Sequence, residues 1–118
     1  MYNSFTEMPV WQKANFLSID VFIITKDLPR SEDYGLTSQI RRSANSVSAN
    51  IAEGFGRKSL KEKAQFYSIS KGSAYETQNH LLYGKGVGYF EQNKIENLNL
   101  EYEELIKSLN KIIKSFEK

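Results

Sequence analysis

The sequence predicts an all-α protein, a single antiparallel up-and-down four-helix bundle spanning residues 1–118. Three observations carry that expectation. Apolar residues recur at steps of three and four in four long segments, the period of helices that bury one face. The two prolines, Pro9 and Pro29, both stand at segment borders, so neither interrupts a helix. The connections are short, which sets consecutive helices side by side in opposite directions.

The first segment starts at Pro9, a good first-turn residue, and presents Val10, Ala14, Leu17, Val21, Ile24 and Leu28. Trp11, Phe16 and Phe22 widen that stripe on either side. The segment is expected to end at Leu28-Pro29, because proline disfavours a helical residue before it. The second runs from Leu36 to Phe55 through Ile40, Ala44, Val47 and Ile51. The third runs from Leu60 into the low 80s through Ala64, Tyr67, Ala74 and Leu81. The fourth carries Ile95, Leu98, Tyr102, Leu105, Leu109, Ile112 and Phe116, a heptad-like seam that suits packing at a shallow angle.

Composition agrees with a soluble globular domain: 40% hydrophobic against 25% charged residues rules out disorder. There is no cysteine, which removes disulfides and thiolate metal sites and makes a reducing cytoplasm the expected compartment. No signal-peptide pattern opens the chain, and the densest apolar run, "VFII", is far too short to span a bilayer. The formal charge of +2 is mild, but it is unevenly placed. Between residues 41 and 71 stand seven basic residues (Arg41, Arg42, Arg57, Lys58, Lys61, Lys63, Lys71) against Glu53 and Glu62.

The stretch "NIAEGFGRKS", residues 50–59, raises the possibility of a phosphate-cradling loop. A Walker loop needs an earlier glycine, a Gly-Lys pair and a preceding strand, and none of these is present. The glycines read better as helix punctuation. Gly56 is expected in the left-handed conformation that closes the second helix. Ser59 and Glu62 form a capping-box pattern opening the third. Glu53 and Arg57 stand in the favourable order for an ion pair one turn apart.

Opposite the core stripe of the second helix lie Gln39, Arg42, Ser46, Ala49, Asn50, Glu53 and Arg57. Such a face, rich in small residues, differs from an ordinary solvated one built of long side chains. It is expected to have no use in a solitary bundle and to let a second copy approach closely. Gln39, Arg42, Ser46, Ala49, Asn50 and Glu53 are therefore the candidate oligomer contacts.

"VWQKA" (10–14), "YGLTSQIRRSANSVSANIAEGFGRKS" (34–59), Phe66 and "GS" (72–73) resemble the four-helix-bundle proteins encoded in intervening sequences of bacterial 23S ribosomal RNA genes. The resemblance covers roughly residues 8–90. It implies a left-handed bundle, a ring-shaped homopentamer and an association with ribosomal RNA. A related branch acts as a nucleic-acid-binding accessory to the reverse transcriptase of diversity-generating retroelements. Two features depart from the family pattern. Ser48 stands where the family usually carries proline. Gly84, Gly86 and Gly88 crowd the end of the third helix; at about 1 kcal/mol for each interior glycine, that end is expected to fray.

Catalysis finds little raw material. His80 is the single histidine, one turn after Glu76, and the paired Glu-x-x-His pattern of bundle metal sites is absent. No metal, cofactor, small-molecule substrate or catalytic residue is expected, and the chain reads as a non-enzyme. Tyr83, Tyr89 and Phe90 are the aromatic residues best placed to be exposed. Two readings stay open. One is an oligomeric RNA-associated protein presenting Arg41, Arg42, Arg57, Lys58 and Lys61 to phosphate, with the retroelement accessory as a variant. The other is a protein–protein interaction module whose cations serve solubility.

Overall fold

The four periodic segments become four helices in the computed structural model, which describes residues 1–117. They are α1 (Pro9–Ile24), α2 (Leu36–Phe55), α3 (Leu60–Gly86) and α4 (Gln92–Ser115), with short 3-10 turns at Phe5–Glu7 and Arg30–Glu32. No strand occurs among the described residues. α1 packs on α2 and α4, and α3 packs on the same two, while the backbones of the diagonal pairs stay apart. Side-chain pairs give the directions. Ser43 faces Thr77 and Ser46 faces Ser73; Lys13 reaches Glu101 and Glu104; Lys71 faces Asn110 while Gln78 faces Asn99. In the α2–α3 and α3–α4 sets residue numbers rise on one helix as they fall on its neighbour, so these two pairs run antiparallel. The result is a rod of 46 × 23 × 20 Å, with α3 of 27 residues and α4 of 24 as its long members.

The core follows the sequence periodicity closely. Ile40, Val47, Ile51, Leu81, Ile95, Tyr102, Leu105 and Leu109 are fully buried. Tyr102 is a special case, since its hydroxyl has no hydrogen-bond partner among the described residues. Burial, with the nearby charge of Asp20, pushes its ionisation far above the ordinary tyrosine range. Two expectations about the stripes need correction. Phe16 and Phe22 do not widen the core stripe of α1 but stand 64% and 48% exposed. Leu60, also expected in a core stripe, is exposed at the first position of α3.

Helix ends are set by contacts between helices. α1 stops at Ile24, a turn short of the expected Leu28. Thr25 ends it by donating its Oγ1 hydroxyl to Val21 O at 2.8 Å, and the Thr25 Oγ1 in turn accepts from Arg41 Nε of α2 at 2.8 Å. Leu28 still packs against the core from the turn that follows. The start of α2 is capped by Glu32, whose Oε1 accepts from Leu36 N at 3.0 Å while Oε2 accepts from the Tyr89 hydroxyl at 2.9 Å. The Leu36 N–H first, and the Tyr89 hydroxyl second, hold the Glu32 carboxyl below the usual glutamate range. α2 runs through Ser48 without interruption.

The glycines act differently from their sequence reading. Gly56 sits in the ordinary right-handed region at φ −77°, so it does not supply a left-handed cap. The last carbonyls of α2 are satisfied instead by Lys63 of α3, whose ammonium donates to Phe55 O at 2.8 Å and Gly54 O at 3.3 Å. Gly54 is required for space: a Cβ there would lie 2.7 Å from Cε1 of Tyr67. The glycines ending α3 do not fray it, for the helix stays regular to Gly86. Gly88, at φ 88°, takes the left-handed conformation. Tyr89 N then donates to Gly84 O and Gly88 N to Lys85 O, the paired bonds of a Schellman stop. Gly84 packs directly beneath Phe90, leaving no room for a Cβ.

Two predictions follow from this packing. Leu105→Ala and Leu109→Ala should each destabilise the fold by about 2–5 kcal/mol in urea unfolding, as buried leucines do; near-neutral values at both would refute the core assignment. The lowered Glu32 pKa adds a pH dependence. A depressed folded-state value contributes stability fully above the unfolded value of about 4.3, and that contribution is lost as pH falls through the folded value. Glu32→Gln should therefore lower the thermal midpoint at pH 7, and the gap to the parent should close in acid. A gap that does not change with pH would remove the charged cap from the account.

Candidate nucleic-acid interface

The cationic junction is built by the end of α2 and the start of α3. Ser59 caps α3, its Oγ accepting from Glu62 N at 3.1 Å, and this holds the connection against the bundle end. Arg57 reaches back to Glu53 at 2.8 Å, and its guanidinium lies 4.6 Å over the ring of Phe66. The sequence-expected ion pair and cap are both in place. Lys58 and Lys61 are exposed and make no hydrogen bond or ion pair among the described residues. They project beside the first turn of α3, where free backbone N–H groups and the helix dipole favour anions.

The other two candidate cations are engaged inside the fold. Arg41 is half-buried: besides its bond to Thr25, its guanidinium stacks 4.2 Å over Phe22, so it closes the end of α1. Arg42 pairs with Glu76 of α3 and also donates to Gln39. Both partners are partly exposed, so the pair orients more than it stabilises. Of the five named cations, the structure brings Arg57, Lys58 and Lys61 together and places Arg41 and Arg42 elsewhere on α2.

The small-residue stripe of α2 proves to have a use within one chain. Ser46 Oγ lies 2.8 Å from Ser73 Oγ, and Asn50 Nδ2 donates to Ser46 O at 2.8 Å. Ser46 and Arg42 thus reach α3, whereas Asn50 and Gln39 bond only within α2. Ala49 and Glu53 remain on the outer side, where with Ala52, Gly56 and Arg57 they border a shallow hollow. The residues that sequence reasoning missed are on α1. Phe16, Ile19, Phe22 and Ile23 form an outward face that is about half exposed. The signal was present: Phe16, Ile19, Phe22 and Ile23 of α1 lie off its buried stripe of Val10, Ala14, Leu17 and Val21, so apolar residues are not confined to one face.

Glu76 sits between Arg42 and His80, with His80 Nε2 at 3.3 Å. Among the described residues no three His, Cys, Asp or Glu side chains converge as metal ligands would. None of the described helices is long and apolar enough to cross a membrane. Of the three aromatic residues that the sequence left open between surface and core, Tyr83 and Tyr89 are exposed, whereas Phe90 is buried against Gly84.

Four helices and no strand among the described residues, with a cationic junction at one end, place the molecule among the all-α four-helix proteins. The chain belongs to the 23S rRNA-intervening sequence protein family, whose model matches residues 6–111. A solved structure shares its fold: the crystal structure of a protein with unknown function from the S23 ribosomal protein family of Bacteroides thetaiotaomicron. That protein is 24% identical, with 89% of this chain and 98% of the other covered, at a TM-score of 0.80. A search of curated proteins returned no match.

Proposed function

We propose that this chain is a non-enzymatic, self-associating protein that binds structured RNA through the α2–α3 junction. One observation carries the RNA reading. Lys58 and Lys61 are exposed cations without a partner among the described residues, beside the anion-favouring start of α3. Arg57 joins them by exchanging Glu53 for phosphate. The family's connection with 23S ribosomal RNA genes supports RNA as the polyanion. The retroelement accessory role would use the same junction.

Self-association has its own support. A single copy leaves Phe16, Ile19, Phe22 and Ile23 in water on one face of α1. The hollow at Ala49, Ala52 and Gly56 on α2 is a different patch of complementary relief. A ridge on one copy meeting a hollow on the next is a heterologous contact, which generates rings when its rotation closes. The pentamer implied by the family resemblance is such a ring, and it would repeat the cationic junction around a circumference.

The assembly prediction is direct. Light scattering at micromolar concentration should give the mass of an oligomer, expected to be a pentamer. Ala49→Trp and Ile19→Glu should each lower it without loss of helicity. A monomeric mass for the parent protein would refute self-association. The binding prediction concerns salt. Log affinity for structured RNA should fall linearly with log salt, by about 0.7–0.9 per phosphate contact. Neutralising Lys58 and Lys61 together should flatten that slope and leave the thermal midpoint unchanged. Arg41→Ala should do the reverse, lowering the midpoint while keeping the slope. If RNA does not bind at about 50 mM salt, where such contacts are strongest, the interaction-module reading replaces this one.

A further inference from the structure

Where α1 begins and α4 ends, the bundle leaves an apolar cavity of about 640 Å³. This volume falls in the range of small-ligand sites, about 300–1,000 Å³. Phe55, Tyr67, Ile112 and Phe116 contribute its walls, and Lys63 and Lys111 stand among its lining residues. No acidic side chain takes part in the lining. The cavity therefore has an apolar body and a cationic edge.

Tyr67 makes the site more than a gap in packing. The residue is only 2% exposed, and its ring stacks on Phe116 with centroids 6.0 Å apart. Its hydroxyl makes no hydrogen bond among the described residues and, unlike that of Tyr102, is not sealed from solvent, so it is free to donate to a molecule in the hollow that Tyr67 lines. Burial also raises its ionisation above the ordinary tyrosine range, so at neutral pH it remains a donor. Lys63 directs two of its N–H groups to the carbonyls of Gly54 and Phe55, which leaves a third available. Lys111 is exposed and makes no ion pair among the described residues. A phenol donor and two ammonium groups around an apolar hollow suit one chemical class.

We propose that this cavity binds an apolar carboxylate of the fatty-acid type, with its hydrocarbon against Phe55, Ile112 and Phe116. Its carboxylate accepts from the Tyr67 hydroxyl and from the free ammonium N–H groups of Lys63 and Lys111. The site is separate from the RNA junction: it uses neither Lys58 nor Lys61, and it stands or falls without RNA binding.

Dodecanoate, titrated calorimetrically into the full chain below its micelle-forming concentration, tests the assignment. The expected result is saturable binding of one molecule per chain, with dodecyltrimethylammonium failing to bind and hexanoate binding more weakly. Tyr67→Phe keeps the stacked ring and should weaken dodecanoate binding about tenfold, the worth of a hydrogen bond to a charged acceptor. Ile112→Trp, which fills the cavity, should abolish binding, and circular dichroism separates that effect from unfolding. Equal binding of the cationic and anionic amphiphiles would overturn the proposal. So would absence of saturable binding, or an unchanged affinity in Tyr67→Phe with the helices intact.

Discussion

The close approach of α2 and α3 is the constraint on which the rest of the molecule depends. Ser43, Ser46, Ser70, Ser73 and Thr77 meet along this seam, and side chains of that size let two helices lie nearer than leucines would. Burying hydroxyl groups is costly unless each finds a partner. Here Ser43 pairs with Thr77, Ser46 with Ser73, and Ser70 donates to Val47 O at 2.7 Å. The hydroxyl pairs also set the register, because sliding one helix past the other would strand all of them at once. Gly54 against Tyr67 extends the same close contact to the end of α2. α1 and α4 pack on this pair as on a platform. Their own contact is looser and includes an exposed cluster in which Lys13 reaches Glu101 at 2.9 Å and Glu104 at 2.8 Å. Burial alone would lower the Lys13 pKa, but the two carboxylates together raise it, and Lys13 in turn lowers that of Glu104.

What the sequence made legible, and what it did not, divides along locality. α2 could be read from Leu36 to Phe55 because its stripe is regular. Ser59 with Glu62 could be read as a cap because both partners lie within one turn. The end of α1 could not, since it is imposed by Arg41, sixteen residues away, bonding to Thr25. The three glycines after Leu82 were misread for a related reason. Summed as helix propensities they predict fraying, whereas in space Gly84 makes room for Phe90 and Gly88 supplies the turn. The small residues of α2 show the same limit. Ser43 and Ser46 meet α3 of the same chain, a partner that periodicity could not name, while Ala49 stays on the outer side. On α1 the error ran the other way. Phe16 and Phe22 were assigned to the core because they are large and apolar, yet Val10, Ala14, Leu17 and Val21 already fill that side.

The same division sorts the positive charge, and so decides what the surface can offer a polyanion. Read along the chain, the basic residues from Arg41 to Lys71 form one group. In three dimensions several of them complete the fold. Arg41 closes α1, Lys63 closes α2, Arg42 joins α2 to Glu76, and Lys71 reaches Asn110 of α4 at 3.0 Å. Cations at helix C-termini meet the negative end of the helix dipole as well as unsatisfied carbonyls, so Arg41 and Lys63 are held by geometry that phosphate would have to break. Lys58 and Lys61 have no such duty, and they stand at the start of α3, whose dipole attracts anions. A net charge of +2 says little about where a polyanion would dock, and it is the two unpaired lysines beside the start of α3 on which the proposed interface rests.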